Sequence, residues 1–160
     1  RSLETEEIGK MIDLEIIERA DVPAEWMEGL KGYAAIADNG SDAWLRTCLT
    51  RAVLTVQEKA DKSLIPCTFC VQEDDATGGI RLYQNVENII GVRDAEGNGC
   101  SFSVAGRVVY VMTDKASVTY RTMPVQGNID LLLPVVYQYA TALYDGQDSR
   151  TLASILEQCR

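Results

Sequence analysis

The stretch Ser41–Ala60, SDAWLRTCLTRAVLTVQEKA, decides the reading of the fold. Leu45, Cys48, Leu49, Ala52, Val53 and Val56 recur at helical spacing and lay an unbroken apolar stripe along one side of an α-helix. Arg46, Arg51, Glu58 and Lys59 fall off that stripe, where water can reach them. Ser41 stands where a capping hydroxyl belongs, after the breaker Asp38-Asn39-Gly40. A helix this amphipathic must press its stripe against other elements, so it is expected to be the centre of the core.

Upstream, Trp26, Leu30 and Tyr33 share one helix face ending near Ala35. Asp21 is the expected cap of that helix, with Pro23 in its first turn. Before it, residues 11–19 alternate Ile12, Leu14 and Ile16 with Asp13 and Glu15, which reads as a short strand.

Downstream, the period changes. Residues 67–71, 80–83, 89–93, 101–104, 108–112 and 117–122 are short runs rich in Val, Ile, Tyr and Thr. Turn chemistry separates them at 74–79, 96–99, 105–106 and 113–115. The pattern is one of antiparallel hairpins, not of βαβ units. Helix then returns, with Pro134 read in a first turn and Leu133, Val136, Tyr137, Ala140, Leu143 and Tyr144 as the apolar face. Gly146 suits the end of that helix. Asp148 or Ser149 opens a last helix, with Leu152, Ile155, Leu156 and Cys159 on one side. The expected class is therefore α+β: a small bundle of about four helices with an inserted antiparallel β-hairpin region. Residues 11–160 read as a single domain, and residues 1–10 as a tail, native or left by engineering.

Composition narrows function. The chain has 160 residues, a formal charge of −9 and no histidine. A chain near 150 residues buries roughly 70% of its unfolded surface, enough for a real core. Without histidine, Ser-His-Asp and Cys-His catalysis and His-ligated zinc or haem are excluded. The acidic balance opposes a grip on nucleic acid through phosphate neutralisation. Residues 1–80 hold 16 acidic and 8 basic side chains, so nearly all the excess lies there. Surface solvation is the ordinary explanation. Five cysteines without an apolar leader point to a reducing, cytosolic origin. The run Leu131–Val136 is too short to span a bilayer.

The short motifs reduce to structure. Cys67-Thr68-Phe69-Cys70 is a lone CxxC in a strand, where positions i and i+3 face opposite ways. Asp94–Gly99 begins like a calcium loop, but Ala105 stands where the bidentate glutamate belongs, so a hairpin turn is favoured. Glu73-Asp74-Asp75 reads as a solvated loop, and Asn39-Gly40-Ser41 as a helix cap before it reads as a glycosylation sequon. No catalytic residue, cofactor or metal site is expected.

Several weak features in fixed order carry a resemblance. They are Asp21-Val22-Pro23 with a helix ending Leu30-Lys31-Gly32-Tyr33, and the helix Leu45 to Lys59. Ile80-Arg81-Leu82-Tyr83-Gln84-Asn85-Val86 then opens the hairpins, and Val118-Thr119-Tyr120 closes them. Pro134 to Tyr144-Asp145 and a terminal helix ending in arginine follow. From about Met11 to Arg160 the chain resembles the head–tail connector (adaptor, head-completion) family of tailed bacteriophages. It departs from that family in residues 1–10, the cysteine-rich strand and a penultimate helix without histidine.

The resemblance implies a structural virion protein, not an enzyme. It implies a homo-oligomeric ring, usually of twelve copies, at the neck between the portal protein and the stopper or tail-completion proteins. Such a protein is assembled in the host cytoplasm and extends the DNA channel without binding DNA specifically. Leu152, Ile155, Leu156 and Arg160 are the candidate portal contacts. Asp74, Asp75, Gly97 and Asn98 are the candidate tail-side or neighbour contacts. Some of Glu15, Glu18, Glu25, Glu28, Asp38 and Asp42 are expected to face the channel, because a basic lining would hold DNA back. A different neck component, such as a stopper or tail-completion protein, is the alternative; stoppers are expected to be mostly strand. A small cytosolic enzyme or ligand-binding domain using Cys67 or Cys70 is a weaker one, since no base is visible.

Overall fold

The computed structural model describes residues 12–159. Residues 12–19 and 66–123 form one unit built of strands, and residues 20–65 and 124–159 a second built of helices. With four α-helices and antiparallel sheets among the described residues, the chain is α+β, the class its periodicities implied.

The strand unit contains β1 (Ile12–Arg19), β2 (Cys67–Glu73), β3 (Ile80–Arg81), β4 (Val86–Asp94), β5 (Phe102–Ala105), β6 (Val108–Val111) and β7 (Ala116–Thr122). They form a four-stranded sheet in the order β1-β2-β7-β4 and a three-stranded sheet in the order β3-β6-β5. Every pairing is antiparallel. In β2 and β7 the side chains alternate: Phe69, Val71, Val118 and Tyr120 are buried, while Gln72 and Arg121 are exposed. The register places Phe69 beside Tyr120 and Val71 beside Val118, with Val92 of β4 next in line. The Phe69 and Tyr120 ring centroids lie 5.7 Å apart. Two hydroxyl groups inside this face are hydrogen-bonded. The Tyr120 hydroxyl accepts from the Tyr83 N–H at 3.0 Å. The Thr122 hydroxyl accepts from the Cys67 N–H at 3.1 Å and donates back to its carbonyl.

Sequence pattern alone treats neighbouring runs as hairpin partners. The larger sheet instead pairs strands distant in sequence, and β5–β6 is the tight hairpin. Its two-residue turn places Gly106 first, at φ +63°, a conformation that costs glycine nothing. The strand expected at 80–83 is only two residues long. Gln84 adopts φ +66° and turns the chain away.

The helical unit contains α1 (Ala24–Ala34), α2 (Asp42–Ala60), α3 (Gln126–Tyr144), α4 (Ser149–Leu156) and a final 3-10 turn, Glu157–Cys159. All six residues of the α2 stripe are buried. Fully burying a leucine of this kind contributes about 2 kcal/mol. α3 packs against both α1 and α2, and α4 against α3. Gln57, also buried, accepts hydrogen bonds through Oε1 from the Leu64 and Ile65 N–H groups at 3.0 and 3.3 Å. It fastens the segment after α2 to that helix.

Three expectations at helix ends are corrected. Pro23 occupies the N-cap position of α1 rather than its first turn, and no side chain caps that helix. Ser41 is the N-cap of α2, but through its carbonyl, which accepts from Leu45 N–H at 2.8 Å; its hydroxyl makes no cap bond. α3 begins at Gln126, so Pro134 lies inside the helix, not in its first turn. The buried face of α3 is rotated accordingly to Leu132, Val135, Val136, Tyr139, Ala140 and Ala142. Leu133, Tyr137, Leu143 and Tyr144 are half-buried, and Tyr33 of α1 is exposed. At the end of α3, Gly146 takes φ +72° and donates to the Leu143 carbonyl, while Gln147 N–H reaches Ala142. Asp148 caps α4 by accepting from Thr151 N–H at 2.9 Å.

Candidate functional site

The candidate tail-side residues come together at one end of the larger sheet. Register places Glu73 and Asp94 on either side of Ala116, so the turns after β2 and β4 share that end. A shallow groove there is lined by Gln72, Glu73, Asp74, Asp94, Ala95, Lys115, Ala116 and Ser117. Asp74, Asp75, Gly97 and Asn98 are all exposed around it. The loop after β2 is tied down where Ala76 N–H donates to the Asp114 carbonyl at 2.7 Å.

The acids of these turns have local work. Asp94 Oδ1 accepts from the Glu96 and Asn98 N–H groups at 3.0 and 2.9 Å, and Gly97 takes φ +87°. That is a hairpin turn, with the carboxylate spent on backbone amides. The Asp75 carboxylate accepts from the Thr77 hydroxyl at 2.7 Å and from its N–H. These bonds hold its pKa below the ordinary carboxylate value. Among the described residues, no group of three or more Cys, Asp or Glu side chains is placed to hold a metal ion.

The channel candidates divide between the two units. Glu15 and Glu18 are exposed on β1; Glu25 and Glu28 are exposed on α1, one turn apart; Asp38 is exposed before α2. Asp42 differs from these. Its carboxylate pairs with the Lys31 ammonium at 2.6 Å, and Lys31 also donates to Asn39 Oδ1 at 2.7 Å. Its charge is compensated on the spot.

On α4, Ile155 is buried, and Leu152 and Leu156 are half-buried. Their side of the helix belongs to the packing against α3, where Gln158 Nε2 also donates to Gln138 Oε1 at 2.8 Å. Arg160 lies outside the described residues, as do residues 1–11. Cys67 and Cys70 stand on β2 with Cys67 buried and Cys70 half-buried, and neither is in a disulfide. Among the described residues, no helix is long and apolar enough to cross a membrane.

One surface escaped the sequence reading. The β5–β6 ribbon exposes Phe102 (45%), Val104 (50%) and Tyr110 (44%), and Met112, directly after it, is 95% exposed. The signal was present: Ser101–Met112 contains one charge, Arg107, in a strongly acidic chain. Periodicity alone marks the segment only as strand.

No family model matches the sequence, and no curated protein does. Solved structures do share the fold. A chain from the neck of the empty gene transfer agent (GTA) particle, computed with C6 symmetry, aligns with a TM-score of 0.65 at 14% identity. The alignment covers 92% of this chain and 95% of that one. A chain from the virion of the native GTA particle gives 0.62 at 16% identity, over 92% and 94%. A chain from the neck of the native GTA particle, computed with C12 symmetry, gives 0.51 at 15% identity, over 90% and 95%. At such identities the likeness is one of fold.

Proposed function

We propose that this chain is a structural protein of the head–tail neck of a phage-like particle and works as a ring-forming adaptor. One observation carries the reading: the fold match to a GTA neck chain runs over nearly the full length of both chains. Two chains that share only a common motif would not align end to end. The C6 and C12 symmetries of the neck structures support a ring of copies. The helical unit favours the adaptor over a stopper, for which a mostly stranded chain is expected.

In this reading the work is mechanical and not catalytic. Each copy offers two different lateral patches, so that contacts close by rotation. The sheet end bearing Asp74, Asp75, Gly97 and Asn98 meets a neighbour or the tail-side protein. The terminal segment, Leu152 to Arg160, meets the portal. Exposed acids among Glu15, Glu18, Glu25, Glu28 and Asp38 repel the phosphates of passing DNA, so that it slides without sticking. The paired Asp42 contributes least to that wall.

The portal assignment is tested with a chain lacking residues 149–160, mixed with purified portal rings. Loss of co-sedimentation, with the helical circular dichroism otherwise kept, is expected. Unimpaired binding contradicts the assignment. Since Ile155 is buried, Arg150→Glu and Glu157→Lys supply a second test on exposed positions.

A further inference from the structure

Asn39 and Asn98 each precede a glycine, whereas Asn85, Asn88 and Asn128 precede valine or isoleucine. An Asn-Gly pair is the asparagine sequence most open to attack by the following backbone nitrogen on the side-chain amide. Glycine sets no side chain in the way and lets the backbone swing into position. Both Asn-Gly pairs are exposed. Their surroundings differ.

Asn39-Gly40 is held at both reacting groups. The Gly40 N–H, whose nitrogen is the nucleophile, donates to Asp38 Oδ1 at 3.0 Å. The Asn39 amide is fixed where its Oδ1 accepts from the Lys31 ammonium at 2.7 Å. Neither restraint is found at Asn98-Gly99 among the described residues. Gly99 faces Arg93 in an antiparallel bridge. The bonds that close this bridge run from Asp94 N–H to the Asn98 carbonyl at 2.8 Å and from Cys100 N–H to the Val92 carbonyl at 3.0 Å. The pair is therefore of the non-hydrogen-bonded kind, and the Gly99 N–H takes no part in the ladder. A Cβ built on Gly99 would meet nothing within 4 Å, so the approach to its nitrogen is open.

We propose that Asn98 is a site of spontaneous deamidation in the folded protein, and that Asn39 is protected from it. The Gly99 amide nitrogen gives up its proton to solvent and attacks Asn98 Cγ. The new C–N bond closes a succinimide, the Cγ–Nδ2 bond breaks, and the leaving nitrogen takes up protons and departs as ammonia. Water then opens the ring. Opening at Cγ leaves aspartate; opening at the main-chain carbonyl leaves isoaspartate, with the chain running through Cγ. In the second product the oxygen that accepts from Asp94 N–H belongs to a free carboxylate. Either product adds a negative charge beside Asp94 and Glu96, at the sheet end that in the proposed function meets a neighbour or the tail-side protein. The chemistry itself is independent of that reading.

The test incubates the full folded chain in mildly alkaline buffer and maps its peptides by mass. An isoaspartate methyltransferase marks the isoaspartate formed, which arises through the succinimide and not by direct hydrolysis. Acid should appear at position 98 about tenfold or more faster than at position 39, where two hydrogen bonds must break before attack. In urea, which removes those bonds, the two sites should react at similar rates. Asp38→Ala should speed conversion of Asn39 in the folded chain. Gly99→Ala should slow conversion of Asn98 with the circular dichroism kept. Asn39 reacting as fast as Asn98 in the folded chain overturns the proposal. So does an Asn98 that stays intact when folded but converts in urea, or a lag at Asn39 that persists in urea.

Discussion

Gly29 leaves the space that the Tyr137 hydroxyl fills. A Cβ at position 29 would run into that hydroxyl and stand 2.8 Å from the ring carbon that carries it. α1 and α3 approach closely at this point because one residue has no side chain. The Tyr33 ring lies beside the same tyrosine, with centroids 6.2 Å apart.

Gly29→Ala therefore sets two effects against each other. Alanine in place of a helical glycine gains up to about 1 kcal/mol of propensity. Overpacking against a ring costs about 1–3 kcal/mol. The clash involves a ring carbon as well as the hydroxyl, so the second effect wins and urea unfolding should show net destabilisation. In a Tyr137→Leu background the same substitution should become neutral or stabilising.

Tyr137 also titrates abnormally. Burial raises its pKa above the ordinary tyrosine value of 10.0, and the Glu25 charge raises it further. The folded state holds the phenolic proton more tightly than the unfolded state does. The stability this contributes is complete below about pH 10 and is lost as pH rises through the folded pKa. Ultraviolet titration should find the Tyr137 tyrosinate forming above the ordinary tyrosine range. Glu25→Gln should bring it earlier, and Tyr137→Phe should remove it.

Thiol reactivity separates the structural reading from a cysteine-dependent enzyme. Cys48 and Cys67 are 1% and 2% exposed. Burial raises the Cys48 pKa, only partly offset by Arg51. In the native protein, Cys70 and Cys100 should alkylate well before Cys48 and Cys67, which wait for unfolding. Rapid, selective modification of Cys67 would signal an activated thiol and count against the account.

Pro134 stands exposed in the interior of α3. An interior proline lacks an N–H donor and crowds the preceding turn, at a cost of about 3 kcal/mol against alanine. Pro134→Ala should raise stability by about 1–3 kcal/mol, seen as a higher Tm. An unchanged or lower Tm would mean that the proline fits this helix without strain.

That proline also shows where sequence reading ended. The α2 stripe was legible because six residues at helical spacing admit one solution, and the structure buries all six. Pro134 obeyed the commoner rule for first-turn prolines, so the first two turns of α3 went unseen. The strand runs were visible, but the β2–β7 and β1–β2 pairings were not. They join residues far apart in sequence, and local periodicity carries no record of partners. The acids on exposed turns were recognisable as such. That Asp42 is neutralised by Lys31 depends on how the loop between α1 and α2 folds back. The ribbon at 101–112 is poor in charge in plain view, but only the structure shows its apolar side chains exposed.

The central claim is that this chain belongs to a neck ring. Electron cryo-microscopy of particles purified from cells that make the chain tests it most directly. The account predicts a ring of copies at the vertex between capsid and tail, each copy fitted by the strand and helical units. Purified particles that lack the chain, or that carry it only in the capsid shell or the tail tube, would contradict it.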